Sequence, residues 1–99
     1  MNNVGGTLGM AMRARKVSMG ESVIEDIRHK KAKLVVIAED ASANTIKRIS
    51  DKCHFYGVDY VFIDSSVTLN QAIGKSNYMA IAILEEGFAQ KIKTCLMKG

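Results

Sequence analysis

The stretch Lys33-Leu34-Val35-Val36-Ile37-Ala38-Glu39-Asp40, followed after a polar-faced interval by Tyr60-Val61-Phe62-Ile63-Asp64, decides the fold. Each apolar run is short, β-branched and nearly continuous, the pattern of a strand buried on both faces. Between them Ile46, Ile49 and Cys53 recur at helical spacing, with Lys47, Arg48, Asp51 and Lys52 on other faces. The order reads as a right-handed β-α-β crossover in a mostly parallel sheet. Ligands of such sheets meet the carboxyl ends of the strands, so Asp40 and Asp64 lie where function is expected, although Asp is also a common loop and cap residue.

Outward from this unit, Val4, Leu8 and Met12 share one face of a first helix, which begins after the cap-like Asn2-Asn3 and ends in the basic Arg13, Arg15 and Lys16. Those cations suit either a phosphate backbone or the negative end of the helix dipole. Val23, Ile24 and Ile27 mark a short second helix, capped by Ser18 or a near neighbour, with Glu21 in its first turn. Arg28, His29, Lys30, Lys31 and Lys33 form a basic connection into the first central strand, either a solvated run or a phosphate-binding one. In the β-α connection, Asp40 is expected to accept backbone hydrogen bonds, and Gly57 to end the central helix, with Phe55 and Tyr56 closing its packing face. Ser65 or Ser66 can cap a fourth helix that turns Leu69, Ala72 and Ile73 inward and stops at Gly74. Tyr78 to Leu84 reads as a further strand, and Phe88, Ile92 and Leu96 as one face of a last helix that frays at Lys98-Gly99.

Ninety-nine residues make one domain that buries roughly 65% of the surface of its unfolded chain, enough for a core without metal or disulfide staples. Apolar content of 47% and charged content of 24% exclude general disorder. No apolar run reaches membrane-spanning length and no signal-peptide pattern opens the chain, so a cytoplasmic protein with no membrane partner is expected. Cys53 and Cys95 fall on helical patterns without a CxxC or a ligand cluster, and are expected to be reduced packing residues. His29 and His54 have no visible ligand partner or orienting carboxylate. A formal net charge of +4 and a pI near 9.2 permit an anionic partner without requiring one.

Taken together, Glu21 to Ile27, Ala32 to Asp40, Cys53 to Ile63 and Leu69 to Gly74 resemble the ribosomal L7Ae/L30e family, closest to its small bacterial ribosomal-protein-like members. The resemblance implies an α/β fold over residues 1–99: a compact three-layer α-β-α sandwich with a mixed, mostly parallel central sheet. It also implies recognition of RNA kink-turns and related folded motifs. The family signature Gly-x-Asn-Glu at the start of the second helix falls, without gaps, on Met19-Gly20-Glu21-Ser22, and its later Lys on Glu25. Glu21 can accept guanine N–H groups, but it lacks the donor half of an Asn amide. The family's second RNA-facing loop corresponds to Ile63-Asp64-Ser65-Ser66, leading to Leu69-Asn70 where the family often has Leu-Gly; Ala43 stands for a frequent family Pro.

The expected RNA surface therefore combines Gly20, Glu21 and Ser22, the cations Lys30, Lys31 and Lys33, and the loop Ile63, Asp64, Ser65 and Ser66. Ile63 would buttress a flipped-out base and the serines would bind sugar or phosphate oxygens. The expected partner is structured RNA, with ribosomal RNA or a kink-turn-like motif nearest by resemblance, bound by a monomer. The competing reading is a protein-interaction module, with a ribosomal or other protein partner, that keeps the fold without kink-turn binding. An enzyme built on Asp40 and Asp64 around magnesium is the weakest reading, because two carboxylates are an incomplete site and no P-loop, dinucleotide loop or nucleophile set accompanies them. No cofactor is expected.

Overall fold

The computed structural model describes residues 4–97, so Asn2, Asn3, Lys98 and Gly99 lie outside the described residues. The elements in chain order are α1 (Val4–Arg13), β1 (Val17–Met19), α2 (Ser22–Arg28), β2 (Leu34–Ala38), α3 (Ala43–Tyr56), β3 (Tyr60–Ile63), α4 (Ser66–Ile73), β4 (Ala80–Ile83) and α5 (Glu86–Met97). β2 and β4 are buried along their whole length. They sit side by side at the centre of a four-stranded sheet of order β1-β4-β2-β3.

Direction within the sheet differs from expectation. β2 and β3, joined through α3, are parallel, with Val36 opposite Val61. β4 is antiparallel to both β2 and β1. The sheet is mixed, but it is not mostly parallel: the β-α-β unit supplies one parallel pair and β4 reverses the other two. An unbroken apolar run carries no information about strand direction.

Helices cover both faces and make the three layers. On one side Leu34, Val36, Val61, Ile63, Ile81 and Ile83 meet Val4 and Leu8 of α1, Leu69 and Ile73 of α4, and Ala89 and Ile92 of α5. On the other, Val35, Ile37, Ala80 and Ala82 meet Val23 and Ile27 of α2 and Ile49 and Cys53 of α3. The alternation of odd and even strand positions between these two cores is the two-residue period of a pleated strand.

At the margins the sequence reading needs correcting. β3 is an edge strand whose Val61 and Ile63 are buried while Tyr60 and Phe62 are 38% and 37% exposed, so it is half-wetted. Val17–Met19 is a strand, and Ser18, instead of capping α2, lies buried in it opposite Ala82. Phe55 does not close the packing face of α3: it is 79% exposed and touches Tyr56 edge-on at 4.9 Å. The helix stops hold, since Gly57 and Gly74 both adopt the left-handed conformation with φ near 71°. Ala43 is the first residue of α3, the position at which the frequent family Pro is also tolerated. Cys53 is fully buried and free, its thiol pushed up to about 12 by burial, which makes it inert packing.

Candidate nucleic-acid interface

Strand directions sort the expected site residues into two groups. β1, β2 and β3 run the same way and β4 the other. One end of the sheet therefore gathers Gly20 after β1, Asp40 after β2, Asp64 to Ser66 after β3 and Met79 before β4. The other end gathers Lys16 before β1, Lys33 before β2 and Leu84 after β4, where Leu84 N–H donates to the Lys16 carbonyl and Lys33 N–H to the Ile83 carbonyl. Five residues of β2 at about 3.3 Å each separate the two ends by roughly 16 Å. Lys30, Lys31 and Lys33 thus do not share a surface with Gly20, Glu21, Ser22, Asp64, Ser65 and Ser66.

At the first end, the approach to α2 turns at Gly20, whose φ of 64° is one that L side chains rarely adopt. Glu21 holds the N-cap position with helical backbone angles and makes no side-chain capping bond. Its side chain instead lines a shallow groove with Ile24, Glu25, Arg48 and Lys52, between α2 and α3. Glu21 and Ser22 are both exposed.

The loop after β3 is fixed from outside itself. Ser65 caps α4 by accepting from Thr68 N–H at 3.1 Å. Asp40, expected to serve the turn into α3, reaches across to that loop: Ser66 N–H donates to one carboxylate oxygen at 2.8 Å and Ser66 Oγ to the other at 2.8 Å. α3 is capped by Ser42, which accepts from Thr45 N–H at 3.1 Å. Both Asp40 oxygens accept from Ser66, and no cluster of three or more His, Cys, Asp or Glu side chains suited to a metal occurs among the described residues.

The two bonds from Ser66 hold the Asp40 carboxyl below its usual value of 3.8. For a carboxylate with a lowered folded-state pKa, the bracing is complete above the unfolded value and is lost as pH falls through the folded one. The Ser66 amide resonance is accordingly expected to titrate with a midpoint below 3.8, and the titration is expected to vanish in Asp40→Ala. A midpoint at or above that value would refute the brace in solution.

Asn70, where the family often has Gly, ties the next loop to α4. Its amide NH2 donates to the carbonyls of Ser66 at 2.7 Å and Tyr78 at 2.8 Å, and its Oδ1 accepts from Tyr78 N–H at 3.1 Å. A groove beside it is lined by Ser66, Val67, Gln71, Lys75, Asn77 and Met79. Sequence reasoning placed the apolar base contact at Ile63, but that side chain is 1% exposed and belongs to the core. Val67, four residues on, is 63% exposed in the first turn of α4, and Met79 is 39% exposed across the groove. The signal that could have found Val67 is its place off the inward face defined by Leu69 and Ile73.

A family model described as the ribosomal protein L7Ae/L30e/S12e/Gadd45 family matches residues 2–93. The chain is 47% identical over 90 residues, 90% of either chain, to a Bacillus subtilis (strain 168) protein named RNA-binding protein YlxQ. It is 44% identical over 87 residues to an Enterococcus faecium protein of the same name, covering 87% of this chain and 84% of the relative. Among solved structures, a protein of unknown function from Bacillus halodurans superposes with a TM-score of 0.91 at 29% identity, over 97% of this chain and 98% of the other. A Giardia lamblia 15.5kD RNA binding protein superposes with a TM-score of 0.75 at 23% identity, over 95% and 82%, a likeness of fold.

Proposed function

The chain belongs to the ribosomal protein L7Ae/L30e/S12e/Gadd45 family, and from that premise we propose that it binds structured RNA through the end of the sheet that carries Gly20 to Ser22 and the loop of Asp64 to Ser66. The observation that carries the reading is the 47% identity, over nine-tenths of the chain, to a protein named as RNA-binding. The geometry supplies the mechanism. Glu21, unused as a cap, can accept the two N–H groups of an extruded guanine, and Gly20 lets that base approach the backbone. Val67 and Met79 offer apolar contact to an unstacked base, while the Asp40 and Asn70 bonds hold both loops in place before RNA arrives. The target in this reading is a kink-turn or similar bulged motif, ribosomal RNA being the nearest source, bound by a single-domain monomer in the cytoplasm without a cofactor or catalysis.

One observation favours a protein partner instead: the edge strand β3 presents Tyr60 and Phe62 on one exposed face, their rings 6.0 Å apart. Titration of the protein against a kink-turn RNA, the same RNA with its turn disrupted, and a plain duplex separates the readings. The intact turn is expected to bind at least about tenfold more tightly than either control, the scale of one good set of base hydrogen bonds, with Glu21→Ala removing most of that margin. Equal affinity for all three RNAs would defeat turn recognition and leave the edge-strand face as the better lead.

A further inference from the structure

We infer that the opposite end of the sheet is a second RNA-binding surface, one that takes the phosphate backbone of a separate RNA segment. Six exposed cations lie there, from two places distant in sequence: Arg13 at the end of α1 with Arg15 and Lys16 before β1, and Lys30, Lys31 and Lys33 between α2 and β2. β4 draws the two groups together, since Lys16 and Lys33 bond to adjacent residues, Leu84 and Ile83, from its two sides. Two strand spacings put those backbones about 10 Å apart, about one Debye length at 0.1 M salt. The end that carries Glu21, Asp40 and Asp64 lies roughly 16 Å away, beyond that length, so its carboxylates do not cancel the basic field.

Helix ends do not account for this charge. α1 and α2 both terminate at this face, and each macrodipole contributes about half a negative charge. That is about one charge against six. Nor do neighbouring acids: among the described residues none of the six cations is in an ion pair. Of the acids at the same end, Asp59 is paired with Lys93 at 2.7 Å; Asp26, whose carbonyl accepts from Lys31 and Ala32 N–H, and Glu85 and Glu86, which accept from the Phe88 amide and Gln90, keep their charge and still leave the six cations in excess. Arg15 and Lys30, both with φ near 60°, head the two turns that present the cations outward. A cluster of exposed lysines and arginines that make no ion pair among the described residues matches the sugar-phosphate backbone, which is read by charge. The protein would then join two RNA segments, one read by its bases and one held by its phosphates. This second surface rests on the RNA-binding reading only for the identity of the polyanion.

A plain A-form RNA duplex is the probe, because it tests phosphate binding without turn recognition. The triple variant K16Q/K31Q/K33Q is compared with K47Q/K52Q/K91Q, which removes the same charge from α3 and α5; both carry a formal +1, from +4 less three. The clustered variant is expected to lose at least about tenfold in duplex affinity near 50 mM salt, with its log–log salt slope reduced by about 2, at roughly 0.7 to 0.9 per phosphate contact. The dispersed variant is expected to lose under about threefold. The clustered variant is also expected to keep the ratio of affinities for intact and disrupted turns. Equal losses in both variants would overturn the surface and leave only net charge. So would duplex binding that is undetectable beside binding to phosphatidylserine vesicles through the same three lysines. If the wild-type protein shows no turn selectivity while the clustered variant still loses the duplex, the first site fails and the second stands.

Discussion

Ile63→Ala is expected to lower the unfolding free energy by about 3 to 4 kcal/mol, in the middle of the range for truncating a buried aliphatic side chain. Ile63 is 1% exposed and belongs to the core that also contains Leu69, Ile73 and Ile81. Those neighbours come from a helix and another strand, so the void cannot close by moving one loop. Against a typical total of about 5 to 15 kcal/mol this is a large fraction, and a fall in melting temperature of roughly 15 to 25 °C follows for a domain of this size. Val67→Ala is the converse. With its side chain 63% exposed, it is expected to change stability by less than about 0.5 kcal/mol. Its affinity for the intact-turn RNA is expected to fall about fivefold, the equivalent of about 1 kcal/mol of apolar contact. Thermal unfolding and RNA titration on both variants give four numbers. If Ile63→Ala unfolds as late as wild type and loses RNA, the base contact lies at Ile63 and the assignment to Val67 is wrong.

Asn70→Ala is expected to cost about 2 to 3 kcal/mol through loss of partners, with little lost apolar contact. Truncation strips the Tyr78 N–H and C=O of their side-chain partner at a site that is 9% exposed. Asn70→Asp separates this account from simple packing. An aspartate keeps the volume and can still accept from Tyr78 N–H, but it sets a carboxylate oxygen against the carbonyls of Ser66 and Tyr78, to which the amide now donates. It is expected to be at least as destabilising as Ala, and to speed hydrogen exchange at the Tyr78 amide. An Asp variant as stable as wild type would show that the two hydrogen bonds donated by the Asn70 amide contribute nothing. The position also bears on function. Where the family often has Gly after Leu, this chain has an Asn whose side chain ties down the loop that borders the groove of Val67 and Met79.

Local chemistry that acts over a few residues was legible. The runs at 34–38 and 80–83 specified buried strands, the periodicity of Val23 and Ile27 and of Ile49 and Cys53 specified inward helix faces, and Gly57 and Gly74 specified helix ends. The family resemblance, and with it the α-β-α layering, rested on the same residues. The three-residue β1 was not legible, because a strand that short has no periodicity to show and is made a strand only by pairing with β4.

The candidate site shows the same division more sharply. The basic excess and the polar turn after β3 were plain from residue types alone, and the resemblance implied an α2 start altered from the family signature. It took the folded chain to put Lys30, Lys31 and Lys33 at the far end of the sheet from Glu21 and Ser66, Asp40 on Ser66 and not on its own turn, and Val67 and not Ile63 on the outside. The physical reason is one of range. Propensity, capping and amphipathic period are set by neighbours within about a helical turn. Strand direction and a hydrogen bond between residues 26 positions apart depend on where the whole chain goes.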